Sequence, residues 1–247
     1  MSWSVLGESV AGTAHLARNL PCQDAFRFRL FGTNEEWLLL VVTDGAGSAS
    51  HSEHGARVAC DEFIRRIETS DPAELFTRET MCALFTQVSN LLFVEAEHLG
   101  VSVRELACTL LLALVGPTNA VFAQVGDGAI VLGTGENYHT VFWPEPAEYA
   151  NTTDFLTDVQ CLEHLQFTTI TDKIIEVAVF TDGLQRLALD FANRCPPPAF
   201  FQPLFNTLRN TTDPETLTEP FRQFLASPRV NERTDDDKTL LLALRRS

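Results

Sequence analysis

Apolar residues fall along this chain in short runs separated by polar turns. Trp3 to Ser9, Phe26 to Phe31, Trp37 to Thr43, Thr109 to Val115, Ala120 to Val125, Ala129 to Leu132, Ile174 to Thr181 and Lys238 to Leu244 are aliphatic or β-branched and end at Gly, Pro or polar clusters. That pattern predicts buried strands. After the third run the period changes: Ala56, Cys60, Phe63 and Ile67 share one helical face, while Arg57, Asp61 and Arg65 lie elsewhere. Ser50-His51-Ser52-Glu53 has the spacing of a capping box for that helix. A second helix is expected over Glu79 to His98, with Leu84, Val88, Leu91, Leu92 and Glu95 at helical spacing and Gly100 as its stop. Leu184 to Ala192, Ala199 to Leu208 and Pro214 to Leu225 also read as helical, with Cys195-Pro196-Pro197-Pro198 as an interruption.

Residues 133–173, with Pro144, Pro146 and Asn151, carry no clear period and are expected to form a flap or insertion with little regular structure. Gly116-Pro117-Thr118-Asn119 supplies hairpin chemistry, and the runs on either side of Asp127 read as adjacent strands. Strands come consecutively, with helices grouped between them. Strict strand–helix alternation is absent, so antiparallel sheets covered by helices, an α+β class, fit better than a doubly wound sheet. No repeat or separating linker is visible, and one domain over residues 1–247 is expected. Its interior is expected to hold Leu39, Val41, Leu111, Ala113, Phe122, Val177, Val179 and Leu242.

Composition narrows the function. With 45% hydrophobic residues the chain can build a large core. Its longest semi-apolar stretch, Leu106 to Val115, is far short of the ~20 residues that span a bilayer. The N-terminus carries no basic block followed by an apolar one, so a cytoplasmic protein without membrane association is expected. A formal charge of −15 argues against nucleic-acid binding. The six cysteines form no C-x-x-C pair, and Cys60, Cys82 and Cys108 read as small core residues. There is no H-E-x-x-H, and His51-Ser52-Glu53-His54 lacks the cysteine pair a zinc deaminase would need.

The chemistry lies where apolar runs meet Asp-Gly. Val41-Val42-Thr43-Asp44-Gly45, Gln124-Val125-Gly126-Asp127-Gly128 and Val177-Ala178-Val179-Phe180-Thr181-Asp182-Gly183 share this ending, and Asp235-Asp236-Asp237 precedes the last strand. One Asp-Gly is a turn. Several carboxylates brought to one sheet rim would repel unless a cation neutralised them, and hard oxygen donors in an open cluster suit Mg²⁺ or Mn²⁺.

These elements resemble the metal-dependent serine/threonine protein phosphatases, the PPM or type 2C family. Cys22-Gln23-Asp24-Ala25 is similar to the family's first acidic motif, and Val42-Thr43-Asp44-Gly45-Ala46-Gly47-Ser48 to its strand and metal-binding loop. Ala107-Cys108-Thr109 and Val125-Gly126-Asp127-Gly128 resemble the central hairpin motifs. Phe180-Thr181-Asp182-Gly183 and Asp236-Asp237-Lys238-Thr239 resemble the last two metal motifs. Each motif is short, but six occur in order across nearly the whole chain. The stretches His15 to Asp24 and Glu148-Tyr149-Ala150-Asn151-Thr152-Thr153 look closest to a bacterial subgroup.

The resemblance implies an αββα sandwich with a binuclear Mg²⁺ or Mn²⁺ centre at one end, where water is activated for in-line attack on a phosphoserine or phosphothreonine of a protein substrate. By position, Asp44 would bridge two metals, the Gly45 carbonyl would bind one of them, Asp182 and Asp236 would complete its ligands, and Asp24 would hold the other. Asp127 would support the site from a hairpin. Three positions depart from the family pattern. Ala46 stands where many members have His, which leaves the proton donor open between water and a group such as His51 or His54; each histidine also reads as an ordinary loop or helix-start residue. The phosphate-binding arginine aligns with Asn19, while Arg18 lies one place away; Arg18 also reads as a solvated surface residue. Glu105 is the nearby candidate for an additional metal.

A cognate kinase or its targets are the implied partners. A non-catalytic phosphoprotein- or kinase-binding module on the same fold is the alternative, and retention of the acidic motifs argues against it. An aspartyl-nucleophile phosphatase would want a second Asp two places after the first, where Ala46 stands. No P-loop is present.

Overall fold

The computed structural model describes residues 2–144 and 153–246. Among them, the strands are β1 (Trp3–Val10), β2 (Ala25–Phe31), β3 (Trp37–Thr43), β4 (Leu110–Val115), β5 (Ala120–Val125), β6 (Ala129–Gly133), β7 (Tyr138–Thr140), β8 (Gln166–Ile170), β9 (Glu176–Phe180) and β10 (Lys238–Arg245). The α-helices are α1 (Thr13–Leu16), α2 (Ser52–Glu68), α3 (Arg78–Leu99), α4 (Gln185–Ala188), α5 (Pro198–Asn210), α6 (Thr218–Leu225) and α7 (Pro228–Asn231). Two antiparallel sheets result, in the orders β1-β10-β9-β6-β7 and β2-β3-β4-β5-β8. This is the expected helix–sheet–sheet–helix layering.

Consecutive strand residues point to opposite faces, and here both faces are covered. Leu38, Leu40 and Val42 of β3 pack between the sheets with Val177, Val179, Leu241 and Ala243. Their neighbours Leu39 and Val41 pack outward with Ala56, Phe63 and Phe85 of α2 and α3. On the other flank, Leu240 and Leu242 meet Phe201, Phe205 and Phe221 of α5 and α6. An antiparallel sheet with one wet face would alternate apolar and polar; sheets covered on both sides read as continuous apolar runs, as this sequence does. All eight residues expected in the interior are fully buried. Truncating any of the leucines to Ala is expected to cost ~2–5 kcal/mol.

Three expectations are corrected. The runs flanking Asp127 are not adjacent strands of a hairpin: β5 and β6 belong to different sheets, and the chain crosses between layers at Gly126-Asp127-Gly128. Gly126 makes this crossing at φ +108, and a Cβ there would lie 2.4 Å from the Thr109 side chain. The capping box does not form either. Helix α2 begins after His51 without a side-chain cap, because the Ser50 hydroxyl donates to Glu105, 2.7 Å away.

Residues 133–173 contain two edge strands, β7 and β8. Gln166-Phe167-Thr168-Thr169-Ile170 pairs with β5 through its backbone and buries too little to show a hydrophobic period. The short α1 and α7 were not expected; four-residue helices are too brief to establish a 3.6-residue pattern. The stretch Glu148-Tyr149-Ala150-Asn151-Thr152 lies outside the described residues. No helix of the described residues is long and apolar enough to cross a membrane.

Candidate metal centre

Antiparallel register brings the acidic motifs together. Ala25 at the start of β2 pairs with Thr43 at the end of β3, so Asp24 and Asp44 leave one sheet side by side. Phe180 at the end of β9 pairs with Leu240 near the start of β10, which sends Asp182 and Asp236 off the facing sheet. Asp127, between β5 and β6, joins them from the inter-sheet crossing. The five residues are neighbours electrostatically: Asp24 and Asp182 act on Asp44, and Asp127 and Asp236 act on Asp182.

Threonines fix the acidic groups. Asp24 is buried, and its Oδ2 accepts hydrogen bonds of 2.8 Å from both Thr181 and Thr239. Its Oδ1 has no partner. The Asp44 amide donates to the Thr109 hydroxyl at 3.0 Å, while the Thr109 amide donates to the Asp44 carbonyl at 2.8 Å. Thr43 donates from the end of β3 to the carbonyls of Ala25 and Ala56. These threonines were visible in the motifs but carried no assigned role; their recurrence at strand ends was the available signal. Asp182 also has an unpartnered, buried Oδ1.

Asp237 plays a different part from its neighbours. It is buried and accepts from the amides of Gly12 and Gln23, each at 2.6 Å, while His15 Nδ1 lies 2.8 Å from it. One carboxylate thus clamps the segment leading to Asp24 onto the loop carrying Asp236. Gly183 packs so closely on this loop that a Cβ would stand 1.9 Å from the Asp237 carbonyl oxygen. His15 and Gln23 are the site-adjacent groups that sequence reasoning did not single out. The fully buried Lys238 reaches Asn231 at 2.9 Å and lies near Asp237, Asp236 and Asp24 as a countercharge.

Burial, then mutual repulsion, raises the acid pKa values. Asp24 is pushed up to about 8 by burial and by Asp237, against the hydroxyl bonds that lower it. Asp182 is pushed up to about 6 by burial and Asp127, and Asp44 well above the ordinary carboxylate range by burial, Asp24 and Asp182. As placed, no group of three His, Cys, Asp or Glu side chains among the described residues encloses a single ion. The donor chemistry nonetheless fits a dication: hard oxygens, two of them buried without partners, in a cluster whose charge is otherwise costly.

The sign of the resulting pH dependence is fixed. Without metal, the folded protein keeps protons on Asp24, Asp44 and Asp182 that the unfolded chain releases near pH ~4. Their stabilising contribution is present below that pH and is lost as pH rises through about 6 to 8. In chelator, the melting temperature should therefore fall between pH 5 and 8, and saturating Mn²⁺ should flatten or reverse that slope. A melting temperature that rises over this window in chelator would contradict the placement of these groups.

The other expected residues sit nearby with partners of their own. Arg18 is exposed, and its Nε donates to the Ala14 carbonyl at 3.1 Å. Glu105 holds the Ser50 amide and hydroxyl at 2.8 and 2.7 Å. His51 Nδ1 lies 2.7 Å from Ser50 Oγ, and His54 Nε2 lies 3.3 Å from Glu95. Asp127 accepts from Thr153 at 2.8 Å, and its carbonyl accepts from Gln185. A cavity of about 610 Å³ opens over the cluster, lined by Asp182, Asp236, Arg186 and Arg233 among others.

The family model described as "Protein phosphatase 2C" matches residues 11–226. The chain is 40% identical over 250 residues to Serine/threonine-protein phosphatase 3 of Escherichia coli (strain K12), covering 99% of both proteins. Its fold is similar to that of the serine/threonine phosphatase Stp1 from Staphylococcus aureus, with TM-score 0.67 at 15% identity over 100% of this chain and 96% of that one. PppA, a regulatory component of T6SS in Pseudomonas aeruginosa, is similar at TM-score 0.67 and 20% identity, covering 99% of this chain and 98% of that one. The chain belongs to the protein phosphatase 2C family.

Proposed function

We propose that this protein hydrolyses phosphoserine and phosphothreonine in protein substrates at a centre of two divalent cations, Mg²⁺ or Mn²⁺. The observation that carries the reading is the convergence of Asp24, Asp44, Asp182 and Asp236 from paired strand ends of both sheets, with buried oxygens of Asp24 and Asp182 left free. Asp44 feels both Asp24 of its own sheet and Asp182 of the facing one and would hold both ions; the Gly45 carbonyl, Asp182 and Asp236 would hold one, and Asp24 the other. Bound there, the ions supply Lewis acidity that activates water and offsets charge on the phosphoryl oxygens.

The chain's own residues orient that chemistry. Thr181 and Thr239 fix Asp24, Thr109 fixes the Asp44 backbone, and Asp237 closes the N-terminal segment over the site. Arg18 retains guanidinium N–H groups that can meet a phosphate. Glu105 is committed to Ser50, so an additional ion there would have to displace those bonds. A cytoplasmic place of action, a kinase acting on the same phosphoproteins, and residues 1–247 working as one domain belong to the same reading.

The test is phosphate release from a phosphothreonine peptide with Mn²⁺ and with excess chelator. Metal-dependent turnover supports the catalyst; tight peptide binding without release would identify a binding module instead.

Ala46 gives a second handle. It is 8% exposed and packs with Ala49, Ala107 and Phe155, offering no proton to the departing alkoxide. Installing His there is expected to accelerate alkyl phosphate cleavage more than aryl phosphate cleavage, because nitrophenolate departs without a proton. Equal effects on both substrates, in a variant that still binds its metals, would count against this.

A further inference from the structure

A second cavity, of about 490 Å³, adjoins the one over the carboxylates; Arg186, Glu232 and Arg233 line both. Its floor is apolar, formed by the half-buried Leu187, Phe200, Leu204 and Phe224. Arg186, Arg229 and Arg233 surround this floor, three guanidiniums against the single carboxylate of Glu232.

That concentration is unusual for this molecule, in which Lys and Arg number 18 and Asp and Glu 33. It is also unspent. Elsewhere arginines hold acids or carbonyls, as Arg27 does Asp61, Arg29 Glu68, Arg65 Glu62 and Arg222 Glu8. Among the described residues, only Arg104, Arg186, Arg229 and Arg233 lack a side-chain hydrogen bond or ion pair, and three of these four border one groove. Unpartnered guanidiniums beside an apolar floor complement a segment carrying carboxylates and an apolar side chain.

We propose that this groove is a substrate-docking subsite, taking an acidic segment of the phosphoprotein that flanks the phosphoresidue. The inference rests on the phosphatase reading and specifies its substrate class. An extended polypeptide advances ~3.3 Å per residue, so a chain whose phosphoresidue lies over the carboxylates can run its flank into the adjoining groove. Carboxylates meet Arg186, Arg229 and Arg233, and an apolar side chain rests on Phe200 and Phe224. Glu232 at the shared rim disfavours acidic residues there.

The experiment uses the full chain with Mn²⁺ and four substrates. Three are phosphothreonine peptides of equal length with acidic flanks plus one Leu, neutral flanks or basic flanks; the fourth is p-nitrophenyl phosphate, which has no flank. The parent should prefer the acidic peptide, and high salt should weaken that preference. Arg229→Glu, at a residue that lines the docking groove and not the cavity over the carboxylates, should lose about 5-fold in kcat/KM on the acidic peptide, mostly through KM, and little on p-nitrophenyl phosphate. Leu204→Gln should lower turnover of the Leu-containing peptide alone.

Equal losses on all three peptides, or an unchanged preference in Arg229→Glu, would overturn the subsite. A groove that instead mediates self-association, seen as a dimer dissociated by Arg229→Glu without change in peptide preference, would overturn it too. Turnover of p-nitrophenyl phosphate without any flank preference sinks the subsite and leaves the phosphatase reading intact. No turnover of any substrate by the metal-loaded parent sinks that reading itself.

Discussion

Asp44→Asn, Asp182→Asn and Asp236→Asn should each lower kcat/KM on a phosphopeptide by at least ~100-fold, about 3 kcal/mol of transition-state stabilisation. Each change keeps the side chain's size and would remove a negative donor from the proposed dication site. Their effect on the metal-free fold should be the reverse of ordinary damage. Asp44 and Asp182 are held well above their usual pKa by burial and by neighbouring carboxylates, so a neutral amide relieves repulsion. In chelator, Asp44→Asn should melt no lower than the parent, with a gain of ~2–4 °C for each kcal/mol relieved. Low activity with unchanged or higher metal-free stability marks a carboxylate present for its ligand. Low activity with a collapsed melting temperature would make Asp44 a structural residue.

Asp237 should behave in the opposite way, although it stands beside Asp236 in the chain. Its oxygens accept two amide hydrogen bonds of 2.6 Å and meet His15 at 2.8 Å in a buried position. Asp237→Ala strands the Gly12 and Gln23 amides and the His15 ring, a kind of loss that costs ~3–5 kcal/mol. At ~2–4 °C per kcal/mol for a protein of this size, the melting temperature should fall by ~6–20 °C, with or without metal. Thermal melts in chelator and in Mn²⁺ check this. A variant that melts like the parent in chelator, yet fails only in metal binding, would transfer Asp237 to the ligand set.

The division between adjacent aspartates shows how far the sequence could be read. The strands were legible because both faces of each sheet are covered, so runs such as Trp37 to Thr43 and Lys238 to Leu244 lack polar interruptions. The acidic motifs were legible because each Asp follows or precedes such a run. The partition of strands between sheets was not, since β5 and β6 are separated by a short Gly-Asp-Gly crossing that reads locally as a hairpin. Edge strands β7 and β8 were hidden because backbone pairing, with little burial, defines them.

The clamp from Asp237 to residues 12–23 was hidden for another reason: it joins segments more than two hundred residues apart through amides, which have no side-chain signature. Ser50 was misread because a carboxylate distant in sequence, Glu105, took the hydroxyl expected to cap α2. The grouping of Arg186, Arg229 and Arg233 likewise depends on α4, α5 and α7 meeting, which no local pattern records.

The central claim is that carboxylates from two sheets form one binuclear site, and calorimetric titration of Mn²⁺ into the parent and Asp44→Asn tests it most directly. The parent should take up two ions, and Asp44→Asn should lose measurable binding of at least one, because Asp44 is assigned as the bridge. If Asp44→Asn binds Mn²⁺ with the parent's stoichiometry and affinity, the carboxylates do not form that centre.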